Sequence, residues 1–299
     1  MKSSTRARLE LLATAALFST GGAGIKATAM TSWQMASWRG LVAACAIAAM
    51  TRAARGAWSR RTVLVSLAYA GATVSYVLAN KLTTAANAVF LQSTAPFYLL
   101  LLGPWLLREP LVRRDLVFMA FIAVGMACML GGAQAASATA PDPFLGNLVA
   151  VFSGVCWALT VLGLRWMGRE GGGRASSQTA VVGGNLLAFL IALPLSLQGP
   201  TPSRHDVVIV LLLGAFQVAL AYLFLTQGVT RVRALEASLL LFMEPVLNPV
   251  WAYLFHGEIP GRLPLLGCAV ILVGSIWNTA QASLGARRLP KDPVDPAPV

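Results

Sequence analysis

The chain carries one set of residues twice, at a fixed offset of 149 positions (245 against 96). Pro96, Glu109, Arg113 and Gly125 recur as Pro245, Glu258, Arg262 and Gly274. A proline, an acid, an arginine and a glycine held in register mark an internal duplication. Each marker lies in or beside a long apolar run, and five such runs fall to each copy. An odd number of membrane crossings forces the second copy to enter the bilayer upside down relative to the first. Inverted repeats are a recurring architecture of secondary transporters, which bind substrate near the midplane between the halves. Transport is therefore the first expectation.

Composition agrees with this. The chain is 57% hydrophobic and 11% charged, with a mean hydropathy of +0.70, where a soluble domain carries about 25% charged residues. A β-barrel is excluded, because its strands alternate polarity over roughly ten residues and these runs stay apolar for about twice that length. The spacing predicts ten spans, at 8–27, 31–51, 61–82, 84–107, 113–133, 144–166, 175–197, 205–229, 233–256 and 263–284. Each is long enough to cross about 30 Å of hydrocarbon as a helix, and inside hydrocarbon the backbone must satisfy itself. The expected fold is thus an all-α polytopic membrane protein with ten transmembrane helices in two inverted five-helix repeats, 8–133 and 144–284. Residues 285–299 form an expected disordered cytoplasmic tail.

The first run has a competing reading. Lys2, Arg6 and Arg8 precede it, and Ala27-Thr28-Ala29 resembles a signal-peptidase site. Lys26 directly before that site argues against cleavage. So does the alignment of Phe18, Gly24 and Lys26 with Trp157, Gly163 and Arg165. The run is read as a retained helix.

The net charge of +12 does not point to nucleic acid, because the basic residues sit in short connectors between spans. With the N-terminus inside, all the basic residues except five fall on the cytoplasmic side. Lys26, Lys81, Arg204 and Arg262 are external, and Arg39 lies within a span. This bias places both termini in the cytoplasm, in a multi-pass protein of the cell (inner) membrane. Cys45, Cys128, Cys156 and Cys268 all lie in apolar runs without a CxxC pair or a nearby histidine. They read as small buried hydrophobes, and no metal site or cofactor is expected.

Two stretches carry a family resemblance. Span four and its exit read TAANAVFLQSTAPFYLLLLGPWLLREP, and span nine and its exit read RALEASLLLFMEPVLNPVWAYLFHGEIP. Both begin with small residues, carry a proline, and place a glutamate thirteen positions after it. Gly125 and Gly274 recur in the last helix of each copy, and SYVLANKLTTA and AYLFLTQGVTRV hold tyrosines in spans three and eight. Over roughly residues 8–284 the chain resembles the drug/metabolite transporter superfamily, specifically its tandem EamA-type members. The resemblance implies a ten-helix carrier with a central cavity, moving small metabolites or drugs outward. Within that group the YddG-like aromatic amino acid exporters look nearest. The first copy departs from the second at Ala95, where the second has Glu244.

Charges deep in a span cost about 2.5–3.5 kcal/mol on insertion scales, so Arg39 and Glu244 lead the candidates. Arg39 lies about eight residues, near 12 Å, into span two. An amino acid substrate needs an acceptor for its ammonium and donors for its carboxylate. Glu244 suits the first, and Arg39 and Lys81 suit the second, although Lys81 near the external end also reads as an interface anchor. The polar and aromatic candidates are Tyr76, Asn80, Gln92, Tyr98, Trp157, Asn185, Gln217, Tyr222, Gln227 and Asn248. Each also reads as interhelical glue. Pro96 and Pro245 remove backbone donors at matched positions and are read as hinges. Trp33, Trp58 and Trp105 sit near span ends as interfacial anchors.

An enzyme is not expected. Only His205 and His256 are present, without HExxH, GxSxG or a paired acid at membrane depth. A channel fits less well than a carrier, because two inverted copies suit alternating access. The expected partners are the lipid bilayer and a small amino acid substrate, handled by a single copy of the chain. The rival cargo is a drug, an amine or another small metabolite.

Overall fold

The computed structural model describes residues 3–51, 58–106, 113–132, 135–169, 173–228, 240–241 and 243–288. Glu109, Gly171-Gly172, the first part of expected span nine and the expected tail after Arg288 lie outside the described residues. So do the side chains of Trp105 and Arg165.

Among the described residues every regular element is a helix. These are α1 (Ser3–Lys26), α2 (Ser32–Met50), α3 (Arg60–Leu82), α4 (Ala85–Gln92), α5 (Ala95–Leu106), α6 (Arg113–Gly131), α7 (Pro143–Arg169) and α8 (Gly173–Ser196). They continue with α9 (Arg204–Leu212), a π-helix (Leu213–Leu220), α10 (Ala221–Gly228), α11 (Met243–His256) and α12 (Arg262–Arg288). Local sequence explains several starts. Thr31 caps α2 by accepting from the Gln34 amide, and the Gln34 side chain returns to the Thr31 N–H. Ser203 and Asp206 form the same reciprocal box at α9. Ser59 and Thr84 cap α3 and α4. Each cap satisfies donors that the first helical turn leaves orphaned.

Seven helical stretches among the described residues are long and apolar enough to cross a membrane. They are Arg60–Leu82, Ala85–Leu102, Arg113–Gly131, Pro143–Leu164, Ser177–Ser196, Arg204–Leu225 and Arg262–Gln281. Of the other three expected spans, α1 and α2 are full helices of 24 and 19 residues that fall short of the same hydropathy. Of the third, 14 residues are described in α11. Large apolar side chains such as Leu64, Leu116, Phe144, Leu190 and Phe255 point outward, while Thr14, Ser66, Asn80, Asn147, Asn185 and Asn248 are buried. An apolar exterior around an interior that holds polar side chains suits lipid rather than water.

The packing crosses between the copies. α3 lies on α7, and α1 lies on the π-helix and α10. α4 and α5 lie on α7, and α1 lies on α11. α3 meets α8 as α2 meets the π-helix, while α2–α8, α6–α12 and α4–α11 pair equivalent helices. Each of these contacts thus has a counterpart with the roles of the two copies exchanged.

The repeated glycines serve one of these crossings. A Cβ on Gly125 would stand 2.4 Å from Ile271 Cγ1 and 2.8 Å from the Gly267 carbonyl oxygen, and one on Gly274 would stand 2.4 Å from Phe121 Cβ. Gly125→Leu is therefore expected to overpack the α6–α12 crossing by about 1–3 kcal/mol. The midpoint of thermal unfolding of the purified protein should fall by several degrees. Gly131→Leu, where the added Cβ meets nothing within 4 Å, should leave it in place.

Two spans expected as continuous helices are interrupted. The fourth stops at Gln92 and restarts at Ala95, so Pro96 sits in the first turn of α5 instead of kinking a continuous helix. Proline lacks the N–H that would bond to the Gln92 carbonyl, and its ring clashes with that carbonyl. Hydroxyls cover the break: Ser93 Oγ donates to Val89 O at 2.7 Å and Thr94 Oγ1 to Leu91 O at 2.6 Å. The eighth span opens into the π-helix at Leu213–Leu220. No proline marks that site. Its wider turns are a form found often at functional sites.

Candidate functional site

These two interruptions face a shared central cavity of about 140 Å³. Its wall is built from both copies. α1 gives Phe18, α2 gives Arg39, and α3 gives Tyr69, Ala72, Thr73 and Tyr76. Gln92 and Ser93 come from the break before α5, Trp157 from α7, Gln217 and Val218 from the π-helix, Tyr222 from α10 and Glu244 from α11. Phe18 and Trp157, aligned between the copies, both line it. The α3 residues follow a spacing of three, four and seven, which puts them on one helical face.

Two opposite charges face this space. Arg39 is only 5% exposed, and its side-chain hydrogen bond, from Nη1 to Gln217 Oε1, is a long one at 3.4 Å. Glu244 lines the same cavity. Among the described residues it forms no ion pair with Arg39 or with any other base. Charges held at this depth without being joined to each other are expensive unless something else joins them.

The rest of the wall is aromatic and amide. Tyr222 packs edge-on against Phe18 at 5.8 Å and Tyr69 at 6.0 Å between ring centroids, and Tyr69 meets Trp157 at 6.3 Å. Asn185 Nδ2 donates to the Tyr69 hydroxyl at 3.3 Å from behind. Gln92 Nε2 donates to Ser153 Oγ at 2.8 Å, and Ser153 donates to Ala72 O at 2.8 Å, which ties the α4 break to α3 and α7. Close approach of α1 comes from its glycines. A Cβ on Gly21 would stand 2.9 Å from Gln217 Nε2, and one on Gly22 would stand 2.6 Å from Asn248 Oδ1. A second chamber of about 550 Å³, almost wholly apolar, shares Trp157 and Tyr222 with the first. It continues along Ile47, Val161, Val181 and Leu223.

Of the residues singled out in the sequence, Arg39, Tyr76, Gln92, Trp157, Gln217, Tyr222 and Glu244 meet at this cavity. Asn80 and Asn248 are fully buried one turn beyond Tyr76 and Glu244, and Asn185 supports Tyr69 from behind. Lys81 lies apart: its ammonium donates to Thr28 O at 2.7 Å, at one end of the bundle. Tyr98 packs on Phe97 in α5, and neither it nor Gln227 lines the cavity. Pro245 is buried in α11 beside Glu244. Sequence reading missed Phe18, Tyr69, Thr73 and Ser93. The helical spacing of Tyr69 and Thr73 to Tyr76 was the available signal for two of them. Among the described residues, no group of three His, Cys, Asp or Glu side chains could hold a metal ion.

Residues 7–131 and 144–280 each match the model of a family described as the EamA-like transporter family. No curated protein sequence matches the chain. One solved structure, titled only as the crystal structure of a protein, is similar over 95% of this chain and 99% of its own, with a TM-score of 0.61 and 21% identity. At that identity the likeness speaks for the fold.

Proposed function

The chain belongs to the EamA-like transporter family, as two tandem copies of its domain, and from that premise we propose that it exports amino acids, aromatic and other neutral ones, by alternating access through the central cavity. Ten membrane helices in two inverted five-helix repeats, 8–133 and 144–284, carry the movement. Both termini face the cytoplasm, and Pro96 and Pro245 serve as the matched weak points.

The observation that carries this reading is the pair of opposite charges, Arg39 and Glu244, facing one cavity without being joined to each other. A zwitterion supplies the missing partner to each: its carboxylate for the guanidinium, its ammonium for Glu244. Charge-assisted bonds of this kind are the stronger ones. The edges and faces of Phe18, Tyr69, Trp157 and Tyr222 suit an apolar or aromatic side chain. The cavity's 140 Å³ is below the range of about 300–1,000 Å³ typical of drug-sized ligands, which favours a small metabolite. The exchange symmetry of the helix contacts supports two alternating states of similar construction.

One observation favours the rival cargo. The apolar 550 Å³ chamber behind Trp157 and Tyr222 is large enough for a hydrophobic drug or amine. Uptake of labelled phenylalanine, threonine and a cationic dye into proteoliposomes, with and without a pH gradient, decides between them. Saturable amino acid flux, competed by other amino acids, is the expected result. Dye flux without amino acid flux overturns the amino acid reading in favour of a drug exporter.

A further inference from the structure

At one end of the bundle stands a second charged constellation, separate from the cavity. Lys26 is the last residue of α1, and Glu258 lies in the connector between α11 and α12. Their side chains are 4% and 3% exposed, and Nζ stands 3.1 Å from Oε2. The ammonium also donates to Thr83 O at 2.8 Å and to Thr139 O. The ammonium is thereby held by two carbonyls as well as by the carboxylate. The other carboxylate oxygen, Oε1, accepts from the Ala85 amide. That amide belongs to the first turn of α4, where an orphan N–H and the helix dipole both favour an anion. One ion pair therefore ties α1, the α3–α4 turn, the connector between the copies and the α11–α12 connector.

The surrounding groups complete the closure. Lys81 Nζ bonds to Thr28 O, Asp206 Oδ1 accepts from the Ala29 amide, and the His256 ring lies 2.9 Å from Ala23 O. A line of contacts leads from here to the cavity. A Cβ on Gly22 would touch both Ala85 and Asn248, Ala85 holds Glu258, and Asn248 lies one helical turn from Glu244. The path from Glu244 to the end of α11 is about 18 Å, at 1.5 Å per residue.

We propose that the Lys26–Glu258 ion pair is the latch that closes the outer end of the translocation path and parts in each transport cycle. A buried ion pair is a poor device for static stability, because the desolvation of both charges offsets most of their attraction. It suits a contact that must break into water, where each charge regains its hydration as the path opens. The pair also joins the two copies, which is where rocking motion is concentrated in inverted-repeat carriers. In the sequence the two charges recur at the equivalent positions of the other copy, as Glu109 and Arg165. The outside location follows from the distribution of basic residues, and the latch rests on the alternating-access reading given above.

The test reads opening without any cargo, so it stands or falls apart from the amino acid assignment. Cys45, Cys128, Cys156 and Cys268 are replaced by alanine, and Thr73→Cys is placed in the cavity wall as a reporter. A membrane-impermeant maleimide is added to the outside of intact cells, and the labelling rate is followed. Glu258→Gln, and separately Lys26→Met, should raise that rate at least tenfold. Each single change leaves a buried charge without its partner, so Lys26→Met/Glu258→Gln is included as a neutral pair that spares this cost. It should show the same rise. Labelling of the neutral pair at the parental rate, in protein that runs as a single species on size exclusion, overturns the latch.

Discussion

Arg39→Gln weakens binding of a zwitterionic substrate about 10- to 100-fold, the factor expected when a charge-assisted hydrogen bond of about 1.5–3 kcal/mol is lost. The glutamine still reaches toward Gln217 and adds no charge at that depth, so the protein should fold. The informative readout is selectivity. Phenylalanine and threonine lose affinity, whereas phenylethylamine, which has the aromatic group and the ammonium but no carboxylate, competes as well as before. Equal losses for both ligands would assign Arg39 to the shape of the cavity and not to a carboxylate contact.

Glu244→Gln gives the complementary result. Affinity for amino acids falls by a similar factor of about 10–100, while 3-phenylpropionate, which keeps the carboxylate and lacks the ammonium, is unaffected. Any response of flux to an imposed pH gradient is lost as well, because no carboxylate then remains in the cavity wall. In the Arg39→Gln/Glu244→Gln double variant the two losses should add for the zwitterion if the charges act on opposite ends of one molecule. Strong non-additivity would mean that they act on each other. Unchanged transport in Glu244→Gln of normal fold would remove this residue from the site.

The helices themselves were largely legible. Apolar runs of constant length, the Thr31–Gln34 and Ser203–Asp206 boxes and the repeated glycines all act locally or through one neighbouring helix. Their consequences could be read along the chain. The interruption near Pro96 was half legible: the proline announces a lost hydrogen bond, but only the structure shows the stop at Gln92, the restart at Ala95 and the Ser93 and Thr94 hydroxyls turned back onto the Val89 and Leu91 carbonyls. The π-helix at Leu213–Leu220 carried no signal at all. Its sequence is compatible with an ordinary helix, and its wider turns sit where Gln217 approaches Arg39 and Gly21.

The site divides in the same way. Arg39 and Glu244 were identifiable because a charge at membrane depth is costly wherever its helix points. Lys81 met the same chemical description and stands at the end of the bundle on Thr28. Tyr69 seemed ordinary in the sequence, yet forms the middle of the aromatic wall. Glu258 was visible only as a repeat marker, and its pairing with Lys26, 232 positions earlier (258 against 26), could not be read from either neighbourhood.

What the sequence by itself determined was the helical membrane architecture, the duplication and the two expensive charges, because hydropathy, periodicity and desolvation are properties of single segments. Only the tertiary structure decided which side chains share a cavity, that Arg39 and Glu244 face it without meeting each other, and that Lys26 reaches Glu258. Those facts depend on the rotation and depth of helices far apart in the chain. These are set by close packing at Gly21, Gly22, Gly125 and Gly274, where even one added Cβ would overlap the facing helix.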